Sequence, residues 1–147
     1  MSTRRKKAAI ALAVAAPLAL LLLVGRFLHQ ADLQMTGRAP VPCAEAVRFL
    51  HAEGLPAGAR EKRCTGGQWQ TTWYTVEFRS PRARAEAWLR SSYPGAEVRH
   101  GCADADVCSD PRVTGDGGHA LADHVSIEIG PEEDGLARVR LTGGTTT

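Results

Sequence analysis

Residues 8–25 (AAIALAVAAPLALLLLVG) run for 18 positions without a charge or a strong polar group. Arg4, Arg5, Lys6 and Lys7 precede the run, and Arg26 closes it. A helix rises about 1.5 Å per residue, so 18 residues cover about 27 Å. Phe27 and Leu28 lengthen the stretch while Arg26 reaches toward the headgroups, which brings it near the ~30 Å hydrocarbon thickness. Pro17 removes one backbone hydrogen bond mid-span, which membrane helices tolerate. The leading cations favour a cytoplasmic N-terminus. The expectation is a single-pass anchor over residues 1–28, followed by an extracytoplasmic domain.

The alternative is a cleaved secretory signal and a secreted protein. Such signals carry apolar regions of about 7–15 residues and a small-x-small site. The run here is longer, and His29-Gln30-Ala31 has His where a small residue is wanted. Ala13-Val14-Ala15 fits the rule but lies inside the run. A lipoprotein is disfavoured because the first cysteine is Cys43. Either way the remaining chain is exported.

Charge must be counted without this segment. Residues beyond 30 hold 13 Lys+Arg against 16 Asp+Glu, a net charge of −3. That balance excludes a nucleic-acid-binding reading. The charge is also unevenly distributed. Residues 60–99 hold eight cations and four acids, whereas residues 100–134 hold nine acids and one cation, Arg112. Ordinary solubilising charge accounts for it as readily as a docking surface does.

Cys43, Cys64, Cys102 and Cys108 all follow the apolar run. An even count in a small exported domain reads as disulfides. Closure of short loops favours Cys43–Cys64 and Cys102–Cys108, worth about 3 and about 2 kcal/mol by chain entropy. The spacings, 20, 37 and 5 intervening residues, match neither a zinc site nor a C-x-x-C redox motif.

The pattern of apolar residues predicts an α+β domain. Residues 29–40 read as a juxtamembrane linker. Residues 42–53 read as a helix, with Cys43, Ala46, Val47 and Leu50 on one face and Gly54 as its stop. Gly66-Gly67 reads as a turn. Residues 68–79 (QWQTTWYTVEFR) read as a strand with Tyr74, Val76 and Phe78 inward. Ser80 and Pro81 start a second helix as N-cap and first residue, with Ala85, Trp88 and Leu89 buried. Residues 96–100 read as a short strand and residues 101–123 as a long loop. Residues 124–130 and 136–141 form a hairpin with Val125, Ile127, Ile129, Val139 and Leu141 inward. Residues 143–147 read as a polar tail. The expected architecture is a two-layer domain over residues 41–142, with two helices packed on a mostly antiparallel sheet of about four strands.

Candidate sites are few. The 102–124 loop brings Asp104, Asp106, Asp110 and Asp116 together with His100, His119, Asp123 and His124. Of these, Asp104, Asp106, Asp110 and His119 are the metal candidates. The calcium-loop pattern counted from Asp104 fails at Cys108, Ser109 and Gly115. The chain has no nucleophile elbow, no H-E-x-x-H and no phosphate-binding glycine loop, so it nominates no catalytic residue and no cofactor. Trp69 and Trp73 share the strand face opposite the expected core and form a candidate aromatic binding face.

Asn is absent, Lys occurs three times against fifteen Arg, and Ile occurs three times. This bias fits a GC-rich bacterial genome. In its anchor, its Ala/Arg/Gly-rich domain and its four cysteines, the chain resembles small uncharacterised membrane-anchored or secreted proteins of actinobacteria. The resemblance is compositional and implies no activity. The expected function is a membrane-tethered, non-enzymatic binding module. Its partners would be the lipid bilayer through the N-terminal helix and an envelope protein or wall component. The alternatives are a small metal-dependent hydrolase built on the 102–124 loop and a structural subunit of a membrane complex.

Overall fold

The computed structural model describes residues 2–114 and 121–146, with side chains from Val14 onward. The chain divides into two compact units, residues 1–33 and 34–147.

The first unit is helical. Helix α1 spans Ser2–Met35 and continues through Pro17. Its segment Val14–Met35 has a mean hydropathy of 1.6 and is long and apolar enough to cross a membrane. Leu20–Leu23, Phe27 and Leu28 are all exposed. The helix also takes in residues 29–35, part of the segment expected to be a linker.

The second unit is one seven-stranded antiparallel sheet with two helices on one face. In chain order its elements are β1 (Ala39–Pro40), α2 (Cys43–Phe49), β2 (Arg60–Gln68), β3 (Thr72–Ser80), α3 (Arg82–Ser92), β4 (Arg99–His100), β5 (Val107–Ser109), β6 (His124–Glu133) and β7 (Leu136–Gly144). The strands lie in the order β1-β2-β3-β7-β6-β5-β4. The α+β class and the antiparallel sheet are as expected. The strand count is not: seven replace about four.

Three strands account for the difference. β1 and β5 are two and three residues long, too short for alternation to register. β2 was obscured by its composition. Arg60–Arg63 are all exposed, and Gly66-Gly67, expected to turn, instead run inside the strand opposite Tyr74 and Trp73. The turn lies three residues further on, at residues 69–71, so β3 begins at Thr72 rather than Gln68. The first two residues of the expected tail are also sheet. β7 extends to Gly144, and Thr145 N–H donates to the Thr72 carbonyl at 2.9 Å.

Side chains alternate across the sheet, so each strand offers one set to the helices. Phe78 is 1% exposed, and Val76, Val107, Ile127, Ile129, Val139 and Leu141 are fully buried. Helix α2 packs Ala46, Val47, Phe49 and Leu50 against β2 and β3; α3 packs Ala85, Trp88 and Leu89 against β6 and β7. Trp88 meets Phe78 edge-to-face at 5.4 Å, and its indole N–H donates to the Gly54 carbonyl at 2.7 Å.

Both helices differ from expectation at their ends. Helix α2 stops four residues early because His51 adopts φ 63°. Ala52 N–H returns to the Val47 carbonyl and His51 N–H to the Arg48 carbonyl, the paired bonds of a left-handed helix stop usually made with glycine. His51 bears the strained conformation while its Nε2 lies 2.6 Å from the Ala122 carbonyl. At α3 the N-cap is Pro81, and Ser80 is the buried last residue of β3.

The disulfides are Cys43–Cys64, which ties α2 to β2, and Cys102–Cys108, which closes the segment leading into β5.

Candidate functional site

With α2 and α3 on one face of the sheet, the other face is left to the alternate side chains. Register places these in straight rows across the strands, because directly opposed residues share a face. The first row reads Gly67, Trp73, Gly144, His124 across β2, β3, β7 and β6. The second reads Thr65, Thr75, Thr142, Ser126. The third reads Arg63, Glu77, Arg140, Glu128, and continues over β5 and β4 through Cys108 to Arg99. An aromatic row, a hydroxyl row and a row of alternating charge therefore lie side by side.

The charge row itself lines a groove of ≈ 710 Å³. Arg79, Arg138, Glu61, Glu133, Asp104 and Ala105 line it as well. Arg79 lies 3.8 Å from Glu61 and 3.7 Å from Glu133. Arg138 donates to Glu77 at 2.9 Å, and Arg140 approaches the same carboxylate at 3.9 Å. Arg63 and Glu128, the outer members of the charge row, form no ion pair among the described residues.

The upper end is built on glycine. A Cβ on Gly67 would stand 2.7 Å from Cζ2 of Trp73, and one on Gly37 would collide with the Trp73 indole nitrogen. The indole thus occupies the space that Gly37 leaves free, and shares the space beside Gly67 with the Gln34 carbonyl. Trp69 is elsewhere. It lies in the β2–β3 turn, 71% exposed, with its N–H bonded to the Thr71 carbonyl. The two tryptophans do not share a strand, because the strand expected over residues 68–79 is a hairpin; Trp73 alone lies on the open face.

Beside the aromatic row, His124 Nδ1 lies 2.9 Å from Asp123. Asp123 also accepts from the hydroxyl and backbone N–H of Thr146. The Thr146 hydroxyl first, then its N–H, then His124 hold the Asp123 carboxyl down at about 2.

The acids of the 102–110 segment are dispersed. Asp106 pairs with Arg82 and Asp110 with Arg99, while Asp104 faces the groove. Asp116 and His119 lie outside the described residues. His100 sits exposed on β4. Among the described residues no three His, Cys, Asp or Glu side chains gather to hold a metal ion. The rows of the open face were missed because they are a product of register: their members are distant in sequence, and no local pattern marks them.

Compared with family models, with curated proteins and with solved structures, the chain matches none.

Proposed function

We infer that this protein is a membrane-tethered extracytoplasmic binding module whose recognition surface is the open face of the sheet. One observation carries the reading. A sheet held by two disulfides leaves one face uncovered by α2 and α3, with Gln34 and Gly37 over only its Gly67–Trp73 end, and that face bears ordered rows of indole, hydroxyl and charge. Polar groups in fixed array on rigid strands suit recognition, since little side-chain freedom remains to be lost on binding. The apolar N-terminal helix supports a tether in the cell membrane, and the disulfides support an oxidising compartment. The cations before the helix support a cytoplasmic N-terminus.

The test is site-specific photocrosslinking of the full chain in native membranes. A photoreactive residue at Thr75 should give defined adducts, and one at Arg90 on α3 should give none. Equal yields from both positions, or none from Thr75, would overturn the reading.

A further inference from the structure

The occupant of the open face is written in its charge order. The row Arg63, Glu77, Arg140, Glu128 reads plus, minus, plus, minus across β2, β3, β7 and β6. Reversed, it reads minus, plus, minus, plus. A two-fold axis lying in the plane of the face, parallel to the strands and between β3 and β7, reverses each row onto itself. Every member then meets its opposite: Arg63 faces Glu128 of a second copy, and Glu77 faces Arg140. We propose that the open face is a self-recognition surface on which two copies of this chain pack sheet to sheet.

The neighbouring hydroxyl row agrees with the same axis. In the hydroxyl row Thr65 faces Ser126 and Thr75 faces Thr142, pairs that can each donate and accept. In the aromatic row the axis would set Trp73 against Gly144 and His124 against Gly67. This end of the face is filled by the chain itself, with Gln34 and Gly37 over Gly67 and Trp73, so the second copy meets the hydroxyl and charge rows. An isologous contact demands this reciprocity, because each residue and its counterpart must fit both ways.

The next row behaves differently and limits the contact. Here Arg60, Arg79 and Arg138 lie opposite one another across β2, β3 and β7, all of them positive. Reversal sets like against like. This end must therefore splay away, with its charges satisfied within each chain as Arg79–Glu61, Arg79–Glu133 and Arg138–Glu77. Twisted sheets packed face to face cross at about 30°, so rows far from the centre do separate. The contact is centred on the hydroxyl row.

Charge pairs across such a surface supply selectivity more than affinity. Affinity need not be high, since a tether confines both copies to one membrane and raises their effective concentration. The proposal rests on the open face being a recognition surface.

The test uses the full-length chain, labelled at the N-terminus with donor or acceptor fluorophore, in zwitterionic lipid vesicles. A variant with the whole row reversed together with Arg138, the partner of Glu77 (Arg63→Glu, Glu77→Arg, Arg140→Glu, Glu128→Arg, Arg138→Glu), keeps the alternation and the 77–138 pair within the chain. It should pair with itself as the wild type does. Mixed with wild type, every facing pair of the charge row becomes like-charged, and association should weaken about tenfold or more. Wild-type energy transfer should also fall as salt rises, whereas association through the apolar helices alone would not. Absent wild-type transfer, transfer insensitive to salt, or a mixed pair as strong as the matched pairs would each overturn the proposal. If transfer is absent but the Thr75 crosslinker still captures an envelope molecule, self-recognition fails and the recognition face stands. If both fail, the face itself falls.

Discussion

The indole of Trp73 and the carbonyl of Gln34 together fill the volume that a side chain on Gly67 would need, with Cζ2 2.7 Å from the ideal Cβ position and the carbonyl oxygen nearer still. Gly67→Ala forces the ring, or the strand beneath it, to move. Overpacking of this kind costs about 1–3 kcal/mol. Gly37 adds a left-handed backbone, φ 67°, to the same collision. Gly37→Ala should therefore destabilise more than Gly67→Ala, by thermal melting of the full chain in detergent. Equal or higher melting temperatures would show that the indole has free space to retreat into.

Tyr93 should anchor the end of α2. Its hydroxyl donates to the Leu50 carbonyl at 2.6 Å, and burial pushes its pKa upward. Leu50 is the C-cap of α2, so this bond satisfies a carbonyl that the helix leaves open. Tyr93→Phe should cost about 1–2 kcal/mol. Faster amide exchange confined to residues near the α2 terminus would identify the cause, and an unchanged melting curve would refute it.

The disulfides should contribute unequally. Cys43–Cys64 closes a separation of 21 residues and Cys102–Cys108 one of 6. Chain entropy assigns about 3 kcal/mol to the first and about 2 kcal/mol to the second. Paired replacement by serine should lower stability in that order. The opposite order in denaturant titrations would mean that native contacts, rather than loop length, dominate.

Acid should loosen the Asp123–Thr146 contact first. The folded pKa of Asp123 is depressed from 3.8 to about 2, so the contact contributes fully above pH 4 and is lost as pH falls through about 2. Nuclear magnetic resonance should show the Thr146 amide shifting over that window. Asp123→Asn should abolish the shift. The alkaline limit involves Tyr74, raised from 10.0 to about 12 by burial and by its hydrogen bond to Glu45. There the sign reverses: stability is complete below pH 10 and declines as the phenol ionises near 12. Phenolate absorbance reaching its midpoint at pH 10 would contradict the Glu45 contact.

Legibility in the sequence followed the hydrophobic pattern. Val125, Ile127 and Ile129 alternate with polar residues, as do Val139 and Leu141, and β6 and β7 were read from them. Ala85, Trp88 and Leu89 marked the buried face of α3. Where the pattern was silent, the structure departed from expectation. Gly66 and Gly67 look like a turn because glycine is common in turns, yet here they make room for the rings of Tyr74 and Trp73 on the adjacent strand. His51 ended α2 where Gly54 looked the better stop, since its side chain could reach the Ala122 carbonyl. The open-face rows were beyond local reading altogether. Arg63, Glu77, Arg140 and Glu128 become neighbours only once strand order and register are known.

Strand order also sets a schedule. β7 lies between β3 and β6 and follows both of them in the chain. Until it has been made, the early hairpin of β2 and β3 and the later strands β4 to β6 have no shared partner to join them. A polypeptide emerging from the ribosome, or threading through a narrow export channel, therefore cannot close this sheet prematurely. The arrangement keeps the chain slack while it is being made and lets it lock only once β7 has arrived.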